Sequence, residues 1–85
     1  MRQKLIILGC AKKHGLTEAD IRCAWNNAIA VRMRETDGPC HYAIAGPDKH
    51  QRLVEMLAVQ QLDGSFVVYH AMKLTPKMAA ELGLG

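Results

Sequence analysis

The sequence predicts a single α+β domain over residues 1–85, with a four-stranded antiparallel β-meander and helices packed on one of its faces. Three observations carry that prediction. Apolar residues recur at helical spacing from Leu16 to Ala28, and from Ile29 onward the period changes to two. Turn signals at Asp37-Gly38-Pro39, Gly46-Pro47-Asp48 and Asp63-Gly64 then cut the alternating stretch into four strands. Finally, Thr75-Pro76 sets an N-cap and a first-turn proline at the head of a closing helix that Gly83 can end.

Residues 5–8 are short, branched and apolar, which fits a buried or edge strand and leaves room for a fifth, N-terminal strand. Cys10 to His14 has the length of one helical turn, and Gly15 supplies the left-handed residue that ends it. The next helix is marked most clearly. Thr17 is its N-cap, and Asp20 sits at the third helical position, where its charge suits the positive end of the dipole. Leu16 is placed to staple onto Ile21, and Ile21, Ala24, Trp25 and Ala28 make the apolar stripe. The first meander strand then sets Ile29, Val31 and Met33 against Arg32, Arg34 and Thr36 on the other side. Further strands are expected over residues 41–45, 53–62 and 65–74.

A two-residue turn at Asp63-Gly64 fixes the last hairpin by counting: Leu62 faces Ser65, Leu57 faces His70 and Glu55 faces Met72. Glu55, His70 and Met72 then share one face, with Glu55 diagonal to His70. Val54, Met56, Ala58, Val67, Tyr69 and Ala71 form the other, more uniformly apolar face, which is expected to seat the helices. Leu53, Leu57, Val59, Phe66 and Val68 argue for the opposite choice, under which Glu55 and His70 become a buried structural pair.

With 85 residues the chain buries only about 60–65% of its unfolded surface, too little for a large internal cavity. The composition is that of an ordinary globular domain. Cys10, Cys23 and Cys40 are odd in number and lack Cys-x-x-Cys spacing, so they read as reduced cytoplasmic thiols, with no metal site and no cofactor. Met1-Arg2-Gln3-Lys4 and the apolar run ending in Gly9-Cys10 imitate a lipoprotein signal. Four apolar residues fall short of the roughly 7–15 that export requires, and no run approaches the ~20 of a membrane span.

The net charge of +3, which rises if the four histidines protonate, favours an acidic partner such as RNA. RNA transesterification needs a base for the 2′-hydroxyl, an acid for the departing oxygen and a cation for the phosphate. His70, oriented by Glu55, is the first acid–base candidate, and His14 beside Lys13 is the second. A histidine near a helix C-terminus is also favoured by the dipole alone. Lys73 completes the catalytic set, and Lys12, Lys13, Arg32, Arg34, Lys49, Arg52 and Lys77 are the candidate phosphate contacts.

Two stretches then stand out together: Lys13-His14-Gly15-Leu16-Thr17-Glu18-Ala19-Asp20-Ile21 with Ala24-Trp25, and Gly46-Pro47-Asp48 with Arg52-Leu53-Val54-Glu55, His70-Ala71 and Pro76-Lys77. Across nearly the whole chain they resemble the BrnT-type toxins, whose fold is similar to that of RelE-like ribonucleases. The resemblance implies a toxin component that cuts RNA and is neutralised by a cognate antitoxin, and the histidine and lysine candidates above can do that chemistry without metal. One departure matters: where these toxins carry Ser-Ala-Arg-Lys at the end of the last strand, this chain reads His70-Ala71-Met72-Lys73. Either His70 substitutes for the lost arginine, or the chain is a silent relative serving as a protein-binding or dimerisation module.

Overall fold

The computed structural model describes residues 4–35 and 37–84. The basic leader Met1-Arg2-Gln3, and Thr36 in its expected place beside Arg32 and Arg34, lie outside the described residues. The elements in order are β1 (Leu5–Ile7), a 3₁₀ turn (Gly9–Lys12), α1 (Glu18–Asn26), β2 (Ala30–Arg34), β3 (His41–Pro47), β4 (Leu53–Gln60), β5 (Phe66–Lys73) and α2 (Pro76–Glu81).

The sheet is five-stranded and mixed, in the order β1-β5-β4-β3-β2: the fifth, N-terminal strand that residues 5–8 left room for is present, and its parallel pairing corrects the expectation of a purely antiparallel sheet. Strands β2 to β5 do form an antiparallel meander, and β1 adds to β5 in parallel, with Leu5 opposite Phe66 and Ile7 opposite Val68. A parallel neighbour needs a crossover connection rather than a hairpin. Here the 3₁₀ turn, α1 and the rest of the meander supply it.

α1 starts where the sequence says it should. Thr17 Oγ1 accepts from the Asp20 amide at 3.1 Å while Asp20 Oδ2 accepts from the Thr17 amide at 3.1 Å, a reciprocal capping box. Leu16 and Ile21 both enter the core, together with Ala24, Ile44, Val54, Met56, Ala58, Val68 and Ala71. Ala28 lies beyond the helix rather than on its stripe. The close seating of α1 depends on Gly46, where a Cβ would stand 2.1 Å from the carbonyl oxygen of Ala24. Sequence assigned Gly46 and Pro47 to a turn, but both belong to β3. The turn that follows is organised by Asp48, 1% exposed, whose Oδ1 accepts the amides of His50 and Arg52 and whose Oδ2 accepts Arg52 Nε at 2.8 Å.

The helices occupy opposite faces of the sheet, not one. Gly46, Ile44 and Met56 lie on the face that α1 covers. By register Arg32 and Arg34 lie on the other face with Ala43, Glu55 and Leu57, and both reach Glu81 at the end of α2. A six-residue helix with one fully inward side chain, Met78, carries too little apolar patterning to reveal its side in advance.

The last hairpin follows the expected register from Val54 opposite Lys73 to Leu57 opposite His70, then slips so that Ala58 faces Val68 and Gln60 faces Phe66. The loop is longer than two residues: the Gly64 amide donates to the Gln61 carbonyl, the Gln61 amide to Ser65, and Gly64 takes φ of +90°. A three-residue loop with glycine in the left-handed region displaces the register by one residue. A β-bulge at Tyr69 restores it. Val68 and Phe66 therefore join the α1 side, while Val67 and Tyr69 move to the α2 side, the reverse of the sequence assignment for these four. No helix among the described residues is long and apolar enough to cross a membrane.

Candidate active site

The bulge builds the site. A bulge leaves two consecutive side chains on one side of a strand. Tyr69 and His70 both turn to the α2 face, Tyr69 placing its hydroxyl 3.1 Å from His41 Nδ1 and His70 placing Nε2 3.0 Å from Glu55 Oε2. Glu55 is 4% exposed, directly opposite Met72 on the neighbouring strand. Its second oxygen, Oε1, accepts the Thr75 amide at 2.9 Å and the Thr75 hydroxyl at 2.6 Å. Thr75 in turn caps α2 by accepting from the Met78 amide. One buried carboxylate thus fixes the start of α2 and orients the histidine.

Burial opposes ionisation of Glu55, but the two donors from Thr75 and the imidazole of His70 outweigh it and hold the carboxyl below its ordinary value. An ionised carboxylate only accepts, so Nε2 of His70 carries the proton, and in the neutral ring Nδ1 is the basic atom.

The second histidine arrives across the sheet edge. β1 ends opposite Val68, and its hydrogen bonding closes with the Leu8 amide on the Val68 carbonyl. From Tyr69 onward the edge of β5 is flanked instead by the 3₁₀ turn, with Cys10 Sγ 3.3 Å from the Tyr69 carbonyl. Gly15, at φ +90°, ends this excursion just after His14. His14 is exposed and meets His70 edge to face, the ring centroids 5.7 Å apart. The His70 side chain is 24% exposed. A solvent-facing imidazole and a carboxylate-oriented one thus stand side by side, flanked in sequence by the exposed Lys12 and Lys13.

Of the catalytic set, the structure brings together His14, His70 and Glu55. Lys73 does not join them: it pairs with Val54 and lies on the α1 side. Of the expected phosphate contacts, Arg34 makes a bidentate pair with Glu81 at 2.8 and 2.6 Å, and Arg52 pairs with Asp48. Arg32 donates to the Glu81 carbonyl at 3.2 Å. Lys49 and Lys77 are exposed, on the β3–β4 turn and on α2 respectively. The side-chain hydrogen bond from Arg34 holds the Glu81 carboxyl below its ordinary value. Sequence reasoning passed over Thr75 as a partner of Glu55, the His41–Tyr69 pair and the buried Asp48. Only Thr75 carried a signal, as an N-cap directly after the strand that bears His70.

Among the described residues no three His, Cys, Asp or Glu side chains are grouped to hold a metal ion. No protein-family model, curated protein or solved structure matches this chain. The site must therefore be read from its own chemistry.

Proposed function

We propose that this chain is a metal-independent endoribonuclease in which His70 and His14 are the acid–base pair acting on the RNA backbone. The observation that carries this reading is the contact between two imidazoles at one sheet edge, one of them held in a single tautomer by Glu55. Cleavage by the neighbouring 2′-hydroxyl requires a proton to leave that oxygen and another to reach the departing 5′-oxygen. Two adjacent imidazoles, one neutral and one protonated, supply both transfers. Glu55 acts as the positioning residue, and Lys12 and Lys13 are the cations next in the chain for phosphate charge. A role as the toxin of a toxin–antitoxin pair is a further layer of the proposal, supported by the resemblance of the Lys13–Ile21 and His70-Ala71 stretches to BrnT-type toxins.

A second reading, a non-catalytic binding module, is favoured by one observation: Lys73, the residue retained from the BrnT pattern, stands on the far side of the sheet from His70. Incubation of purified protein with a mixed RNA pool in chelator separates the two. Cleavage is expected from the parent, with losses of roughly 10²- to 10⁴-fold in both His70→Ala and His14→Ala, each checked for fold by circular dichroism. Intact RNA with the parent protein overturns the nuclease and leaves the module.

A further inference from the structure

We propose that the outer edge of β2 is the surface through which two copies of this chain pair, their β2 strands running antiparallel in one continuous sheet. The proposal is independent of the nuclease reading, since it concerns the end of the sheet opposite β1 and β5. β2 is the last strand of the sheet, and natural edges are usually blunted by proline, bulges or inward charge. β2 has neither proline nor a register shift. Its central charged side chain, Arg32, is drawn toward α2 by the Glu81 carbonyl.

The α1 side of this edge is apolar and uncovered. Val31 and Met33 are 60% and 53% exposed, and Ile29, just ahead of the strand, is 56% exposed. Val31 lies opposite the buried Ile44, so the stripe continues the core outward. α1 packs chiefly over β3 and β4 and leaves these side chains exposed. Together the three side chains present an apolar patch on the order of 300 Å² per copy, within the range of the largest apolar patch that a monomer ordinarily exposes, which is often functional.

The pattern of the strand fits a second copy. A two-fold axis perpendicular to the sheet keeps both stripes on one face, between the two α1 helices. With that axis at Val31, Val31 meets the partner's Val31, Ile29 comes toward the partner's Met33, and Arg32 faces the partner's Ala30. No like charges then stand directly opposed, an arrangement that would destabilise the pair. An acidic foreign strand has less to offer, because the charge of Arg34 is already matched by Glu81. Two patches and the paired strand backbones approach the roughly 1,000 Å² of a small specific interface, so a reversible micromolar dimer is expected.

Sedimentation equilibrium over about 1 to 200 µM tests this on the parent, Val31→Lys and Leu62→Lys. Leu62 is fully exposed at the far hairpin tip and serves as the control. A concentration-dependent dimer is expected, weakened at least about tenfold by Val31→Lys with its circular dichroism unchanged, and untouched by Leu62→Lys. A parent that stays monomeric throughout overturns the proposal, as does a dimer that Val31→Lys leaves intact or that Leu62→Lys alone dissolves. If Val31→Lys fails to fold, Val31→Cys with Cys10 and Cys40 changed to serine replaces it. With oxidised glutathione supplied as the oxidant, a disulfide across the two-fold axis is then the expected product, and a chain that stays uncrosslinked at 200 µM overturns the proposal.

Discussion

The two faces of the sheet are buried by different means. Under α1 the contacts are apolar and close: Ile21, Ala24, Val54, Met56, Ala58, Val68 and Ala71 are all fully buried, and a glycine lets helix backbone touch strand backbone. Under α2 the strands contribute a carboxylate, two histidines, a tyrosine and two arginines, joined by directed hydrogen bonds. Apolar burial is non-directional and scales with area, whereas a buried polar group stabilises only when its partner is in place. The α1 face is therefore expected to hold the fold, and the α2 face to hold positions.

The largest effect should come from the α1 face. Gly46→Ala places a methyl carbon 2.1 Å from the Ala24 carbonyl oxygen and 3.0 Å from the Ala28 Cα, and both neighbours are backbone. No side chain can rotate away, so α1 must lift from β3. Overpacking of this kind costs about 3 kcal/mol or more, a large fraction of the stability of so small a domain. Urea denaturation measures it. A loss under 1 kcal/mol would show that α1 is loosely seated and would break the contrast between the faces.

Glu55→Gln tests the other face. The amide keeps one acceptor for Thr75 but presents donors where His70 Nε2–H now points, so the ring must change tautomer or lose its partner. A loss of about 1.5 to 3 kcal/mol at neutral pH is expected, the scale for a hydrogen-bonded buried charge. The pH dependence has a definite sign. The folded carboxyl titrates below its ordinary 4.5, so its contribution is fully present above 4.5 and disappears as pH falls through the lower folded value. The gap between parent and variant should therefore close in acid. A gap that persists well below 4.5 would mean that Glu55 acts through packing and not through charge.

The contrast between the faces was only half legible in the sequence. Thr17 with Asp20, Gly15, Gly83 and Thr75-Pro76 act locally, and local backbone rules found them. The inner part of the β4–β5 register, and with it the Glu55–His70 contact, followed from counting back from Asp63-Gly64. The same dipeptide also suits a three-residue loop, and the resulting slip is cancelled only by the bulge at Tyr69. Nothing local announces that cancellation, so Phe66, Val67, Val68 and Tyr69 were assigned to the wrong sides. Lys73 was different. Three residues beyond His70 on a regular strand it must face the other way, and a period of two already excluded it from the site. The approach of His14 to His70 depends on where β1 stops beside β5, a non-local pairing with no sequence marker.

The smallest effect sharpens the idea that the α2 face positions rather than stabilises. Arg34 and Glu81 form the shortest ion pair among the described residues, yet their side chains remain 37% and 25% exposed. Solvent screens a pair so placed, and exposed pairs contribute about 0.2 to 1 kcal/mol. Arg34→Met keeps the stem that lies along the sheet and removes the fork that holds Glu81. Its unfolding free energy should fall by no more than about 1 kcal/mol. The end of α2 should nonetheless loosen, seen as faster amide exchange at Leu82 and Gly83, whose amides donate to the Met78 and Ala80 carbonyls. Unchanged exchange with equal stability would place the anchor of α2 elsewhere, at Thr75 and Met78. A loss of several kcal/mol would instead make the polar face a second core, and the division of labour between the two faces would fail.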